Sequence, residues 1–177
     1  VLSARQGFAG WERGILDKYF YTLQRVGEYT FAPYKVCWKY IASEFTVCVV
    51  AGDEQGRPIL PNDKVMFVPF DTREPAYFLG GVLSMPVIRN YVNSCMSKRQ
   101  ISTSVIRSLR LPQFDERSPL HRAIALACED GHKATEANDA ETLRQVCTAL
   151  DRWGEELFAA TRASVRGKRL LLRNQAM

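Results

Sequence analysis

The hydrophobic period of this chain changes twice, and the changes restrict what it can fold into. Through "GWERGILDKYFYTLQRVGE" apolar residues stand three and four apart, at Ile15, Leu16, Tyr19, Phe20, Leu23 and Val26, with Gly27 following. That spacing predicts a helix that stops at the glycine. From Tyr34 the period becomes two. Val36, Trp38 and Tyr40 fall on one side and Lys35, Cys37 and Lys39 on the other, in a stretch enriched in β-branched and aromatic residues. "EFTVCVVAG" reads as a second strand, "GDEQGRP" as a turn, and Lys64 to Pro69 as a third strand.

Past "DTREP" the helical period returns at Ala76, Tyr77, Leu79, Gly80 and Leu83, and Pro86 suits the first turn of a further helix reaching about Cys95. Ser102 or Thr103 would cap a short helix through Ser108, and "LRLPQF" exits as an extended, proline-marked segment. From Ser118 onward the pattern is helical, with Leu143, Val146, Cys147, Leu150, Trp153, Leu157 and Phe158 forming an amphipathic stripe. Strands in one block and helices in another predict an α+β fold: a small antiparallel or mixed sheet with packed helices, then a C-terminal helical segment. The expected parts are residues 1–117, an α+β domain, and residues 118–177, helical with a basic tail. At 177 residues they are expected to share one compact unit.

The net charge of +5 is unevenly spread. Residues 1–119 carry 15 Lys+Arg against 11 Asp+Glu, residues 120–161 carry 4 against 8, and residues 162–177 carry 5 against none. Between Glu74 and Asp115 no acidic residue occurs, whereas Arg89, Lys98, Arg99, Arg107 and Arg110 do. Such segregation suits a polyanionic partner. No run of eighteen apolar residues and no signal-peptide pattern is present, so a cytoplasmic location and no membrane partner are expected. The chain begins with Val1 rather than methionine, as a piece of a longer protein would.

Catalytic patterns are missing. There is no G-x-x-x-x-G-K-[ST], no G-x-S-x-G, no H-E-x-x-H, and no asparagine or aspartate followed by Pro-Pro-aromatic. "FLGGV" (78–82) is the nearest approach to a cofactor loop, but its neighbours have helical rather than strand periodicity, so Gly80 and Gly81 read as helix-contact positions. The five cysteines, 37, 48, 95, 128 and 147, form no C-x-x-C and read as reduced, mostly buried thiols. Cys128 and His132 stand four apart, a spacing that would place two metal ligands on one helix face, yet two ligands do not make a site. No catalytic, cofactor or metal residue is expected.

Four stretches taken in order carry a resemblance: "GEYTFAPYKVCWKYIASEFTVCVV", "RPILPNDKVMFVPF", "AYFLGGVLSMPVIRNYV" and "ISTSVIRSLRLPQFDERSPLHRAIA". Together, over roughly residues 20 to 135, they resemble the C-terminal target-recognition region of adenine-specific DNA methyltransferases of restriction-modification systems, in particular those that join methylase and recognition parts in one chain. The last stretch is also similar to type I specificity subunits. The resemblance implies that this segment binds double-stranded DNA and sets sequence specificity. It also implies that an N-terminal methyltransferase domain of the same chain holds S-adenosylmethionine and performs the transfer.

An enzyme that flips its target base needs a second surface to hold the surrounding duplex. That surface needs cations for phosphates and polar groups that reach base edges. The expected DNA-binding residues are Tyr34, Lys35, Lys39, Asn62, Lys64, Lys98, Arg99 and Ser102, with Val36 and Trp38 turned to the core. Lys98, Arg99 and Ser102 stand at a loop and helix N-terminus, where backbone N–H groups favour phosphate. The alternative is a non-enzymatic protein-interaction or scaffold module in which the helices of 118–162 dock a partner.

Overall fold

The computed structural model describes residues 27–97, 99–101, 103–109 and 111–173, with side chains for all of these except 103, 104 and 160–173. The helix expected ahead of Gly27 lies outside the described residues. The chain divides into two units between Phe31 and Ala32. The described part of the first is a 3-10 turn, Glu28–Phe31, closed by a Thr30 N–H bond to the Gly27 carbonyl at 2.9 Å.

The second unit is α+β. Strands β1 (Tyr34–Lys39), β2 (Val47–Val50) and β3 (Val65–Phe70) precede five helices: α1 (Arg73–Ser84), α2 (Pro86–Ser94), α3 (Thr103–Ser108), α4 (Pro119–Glu136) and α5 (Ala140–Arg173). The sheet is antiparallel with order β2-β1-β3, so β1 is central. Its Val36 stands opposite Val49 on one side and Val68 on the other. Because both neighbours run against β1, the connection from Val50 to Val65 must travel the length of the sheet, which takes residues 51–64. Within it Asp53 closes a turn, accepting N–H bonds from Gln55 and Arg57 through Oδ1 and from Arg57 Nε through Oδ2, while Gly56 takes the left-handed conformation at φ 75.

Helix α1 is buried on two sides, and its sequence explains why. Ala76 and Leu83, with Gly80 between them, face the sheet and join Val36, Trp38, Phe45 and Val49 in one core cluster. Phe78, Val82 and the following Met85 face α4 and α5, joining Ile124, Leu150 and Leu157 in a second. Both sets are spaced four and three apart, one helical stripe each. The glycines permit this close approach. A Cβ on Gly80 would stand 2.6 Å from Val49 Cγ2, and one on Gly81 would stand 2.8 Å from Ile124 Cγ2 and 3.0 Å from the Ile124 carbonyl oxygen.

Helix α4 starts on Ser118, whose Oγ accepts the His121 N–H at 3.3 Å, with Pro119 in the first turn. It ends in a Schellman turn. Asn138 is left-handed at φ 55, its N–H reaches the Thr135 carbonyl, and the Asp139 N–H reaches that of Ala134 at 2.8 Å. Asp139 then caps α5 through the backbone of Glu141 and Thr142. Helix α4 packs along α1 and shares the second core cluster with it. No helix among the described residues is long and apolar enough to cross a membrane.

Candidate functional site

Of the eight residues expected to contact DNA, the six that are described do not share one surface. Tyr34 and Lys35 begin β1 and Lys39 ends it, a separation of about 13 to 17 Å along the strand. Tyr34 pairs with Phe70 and packs against the first core cluster. Lys35 is the clear departure from expectation. Alternation placed it on the face opposite Val36, but that face of the central strand is covered too, leaving Lys35 1% exposed and therefore out of reach of a duplex. Its Nζ donates to the Ala32 carbonyl at 2.6 Å, and burial holds the ammonium below the usual 10.5, with Cys37 opposing weakly. Val36 and Trp38 lie in the core as their side of the strand requires. Lys98 and Ser102 lie outside the described residues.

The other end of the sheet collects what remains. Tyr40 N–H donates to the Lys64 carbonyl at 2.8 Å, the Tyr40 carbonyl accepts the Ile101 N–H at 2.9 Å, and Ala42 N–H donates to the Arg99 carbonyl at 3.0 Å. These three backbone bonds gather Lys39, Lys64 and Arg99, remote in sequence and all exposed, around Tyr40. The Tyr40 hydroxyl donates to Gln100 Oε1 at 3.3 Å, placing an aromatic ring and a carboxamide between the cations. Tyr40 and Gln100 are the residues that sequence reasoning did not select. Their adjacency, across sixty positions, depends on the bridge between Ile41 and Gln100, for which no local pattern exists.

Asn62 is committed to a turn. Its Oδ1 accepts the Lys64 N–H at 3.0 Å and its carbonyl accepts the Val65 N–H at 3.1 Å, so only the side-chain NH₂ can face a partner. Lys64 pairs with Asp63 at 2.8 Å on the open surface, and the hydrogen bond raises the lysine and lowers the carboxyl from their ordinary values. A pair this exposed is screened by salt and readily exchanges its carboxylate for a phosphate. Arg99 is left-handed, at φ 63. A residue with a Cβ pays about 1 to 2 kcal/mol for that conformation, and it turns the guanidinium outward from an exposed loop. The acid-free window is less free than its composition suggests, because Arg89 is paired with Glu44.

Cys128 and His132 do not offer a metal pair. The Val49 N–H donates to His132 Nε2 at 2.8 Å, so Nδ1 carries the proton and donates to the Cys128 carbonyl, also at 2.8 Å. Both ring nitrogens thus bind backbone, tying the open edge of β2 to α4. Burial raises the Cys128 thiol to about 12, away from the thiolate a metal needs. Among the described residues no group of three or more His, Cys, Asp or Glu could hold a metal ion.

Nearby, Arg73 and Lys133 both pair with Glu129, and Arg73 stands 5.7 Å from the Tyr77 ring centroid. This network pins α1 to α4 and holds the Glu129 carboxylate between two cations. No family model, curated protein or solved structure matches the chain.

Proposed function

We propose that this chain is a DNA target-recognition domain of an adenine-specific DNA methyltransferase or a fused restriction-modification enzyme. Its duplex-contacting surface is the sheet end carrying Lys39, Tyr40, Lys64 and Arg99. In this reading S-adenosylmethionine and the transfer chemistry belong to an N-terminal methyltransferase domain of the same chain. The reading is supported chiefly by the three backbone bonds that bring exposed cations from three separate segments around one aromatic residue. Cations grip phosphates without reading sequence, while Tyr40, Gln100 and the Asn62 amide are the groups beside them able to discriminate base edges. The resemblance of four stretches to such recognition regions points the same way.

The test is the salt dependence of duplex binding, followed by fluorescence anisotropy. Three phosphate contacts give a log–log slope of about −2.7, so affinity falls roughly 40-fold between about 50 and 200 mM salt. Replacing Lys39, Lys64 and Arg99 together by glutamine removes that dependence, and Lys35→Met leaves it intact. An unchanged slope in the triple variant, or no duplex binding at low salt, overturns the proposal.

A further inference from the structure

Two cysteines widely spaced in sequence are direct partners in the sheet. Cys37 of β1 stands opposite Cys48 of β2. The parity of the ladder says which kind of pair they form. The Val49 N–H points outward to His132, and the Tyr40 N–H points to β3, so even-numbered residues of β1 bond β3 and odd-numbered ones bond β2. Cys37 and Cys48 are therefore a hydrogen-bonded pair, with Cα atoms about 5.5 Å apart, inside the range that a disulfide spans. Their Cβ atoms at such a position lie about 4.5 to 5.5 Å apart, while a relaxed disulfide holds them near 3.8 Å. A bond here closes only by drawing the strands together. Strained, accessible disulfides of this kind are the readily reversed ones.

The two thiols are unequal. Cys37 is 3% exposed and Cys48 is open to solvent. The exposed Cys48 is the attacking sulfur and Cys37, whose thiol donates to the Lys35 carbonyl at 3.8 Å, the resolving one. The nearness of the two thiols, which raises Cys37 and lowers Cys48 from the ordinary thiol value, acts in the same sense.

We propose that Cys37 and Cys48 form a dithiol modification site at which a low-molecular-weight disulfide of the oxidised-glutathione class installs a reversible cross-strand bond. The Cys48 thiolate attacks one sulfur of the reagent, whose S–S bond breaks and releases a first thiolate. The Cys37 sulfur, losing its proton, then attacks the Cys48 sulfur of the mixed disulfide and expels the second thiolate. Two electrons pass from the protein thiols to the reagent, and their two protons complete the two released thiols. Of the remaining cysteines, Cys95 and Cys147 are exposed and Cys128 is buried, and neither β1 nor β2 carries any of them. With Cys48, three of the five thus lie at the surface where mostly buried thiols were expected.

The test uses the full 177-residue chain, equilibrated with oxidised and reduced glutathione at graded ratios, quenched by alkylation and mapped by mass spectrometry. The expected product has lost two hydrogens, joins the Cys37 and Cys48 peptides, and reverts when the reduced form is in excess. Cys37→Ser instead accumulates a persistent glutathione adduct on Cys48, and Cys48→Ser forms no cross-strand link. Adducts spread equally over Cys48, Cys95 and Cys147 with no linked peptide in the wild-type chain overturn the proposal. That result stands even if a serine variant fails to fold.

Discussion

Replacing Gly81 with alanine tests the packing of α1 directly. The new Cβ would stand 2.8 Å from Ile124 Cγ2, 3.0 Å from the Ile124 carbonyl oxygen and 3.3 Å from Cys128 Cβ. Carbon contacts settle at about 3.5 to 4.0 Å, so α1 and α4 must separate by roughly half an ångström. One of the obstructing atoms is backbone and cannot rotate away. Overpacking of this order costs about 1 to 3 kcal/mol, while alanine returns about 0.8 to 1 kcal/mol of helix propensity. The difference spans about 0 to 2 kcal/mol. Because a backbone oxygen is among the obstructing atoms, its upper half, about 1 to 2 kcal/mol, is expected, a fall in Tm of roughly 3 to 6 °C for a chain of this size.

Gly80→Ala provides the comparison, because its Cβ meets only side-chain atoms, Val49 Cγ2 at 2.6 Å and Cys128 Sγ at 3.1 Å. Adding Val49→Ala removes the closer of them and relieves part of the Gly80→Ala defect beyond additivity. Adding Ile124→Ala to Gly81→Ala relieves less, since the carbonyl stays. Calorimetry on these four variants, the Val49→Ala and Ile124→Ala single variants and the parent measures all of this. A Gly81→Ala chain that melts at or above the parent temperature refutes the contact. Retention of labelled S-adenosylmethionine by the parent chain, lost in Gly81→Ala at unchanged stability, would show instead that "FLGGV" serves a cofactor.

Arg99→Gly relieves left-handed strain of about 1 to 2 kcal/mol at an entropic cost of about 0.5 to 1 kcal/mol, so urea melts should show a gain of about half a kcal/mol. The same variant should lose about 0.9 from the salt slope of duplex binding. Lys35→Met should abolish a pH dependence: the folded chain holds this lysine below its unfolded 10.5, so the unfolded state binds the extra proton. Wild-type stability therefore rises with pH between the folded value and 10.5, and urea melts at alkaline pH approaching 10.5 should show a rise in the parent that the variant lacks.

His121, whose Nδ1 accepts the Asp115 N–H at 3.0 Å and whose ring lies 4.5 Å from that of Phe78, is lowered by burial, with Asp115 opposing. Its contribution is fully present above the unfolded value and is lost as pH falls from about 6.5 through the folded value. His121→Asn, which keeps an acceptor but cannot take up the proton, should flatten thermal melts across that window.

Most of the elements were readable because periodicity is local. Period two delivered β1, the proline delivered the start of α2, and Gly80 and Gly81 were separable from a nucleotide loop by the helical spacing around them. Lys35 was misread for a definite reason. Alternation says which residues share a face, but not that β1 would be the central strand with both faces covered. The candidate site was half visible, with Lys39, Lys64 and Arg99 selectable by charge and exposure. Their convergence was not, because it is made by hydrogen bonds from Tyr40 and Ala42 to residues 64, 99 and 101.

The strand order has one more effect. Because β3 lies beyond β1, the chain crosses the sheet through residues 51–64, which are mostly exposed and fastened at one point by Asp53 and Arg57. Doubling the length of such a crossing costs only about 0.6 kcal/mol of closure entropy. Its far end delivers Asn62 and Lys64 beside Tyr40, so insertions there would alter what stands next to the cations without disturbing either core, and related chains are free to diverge first at this crossing.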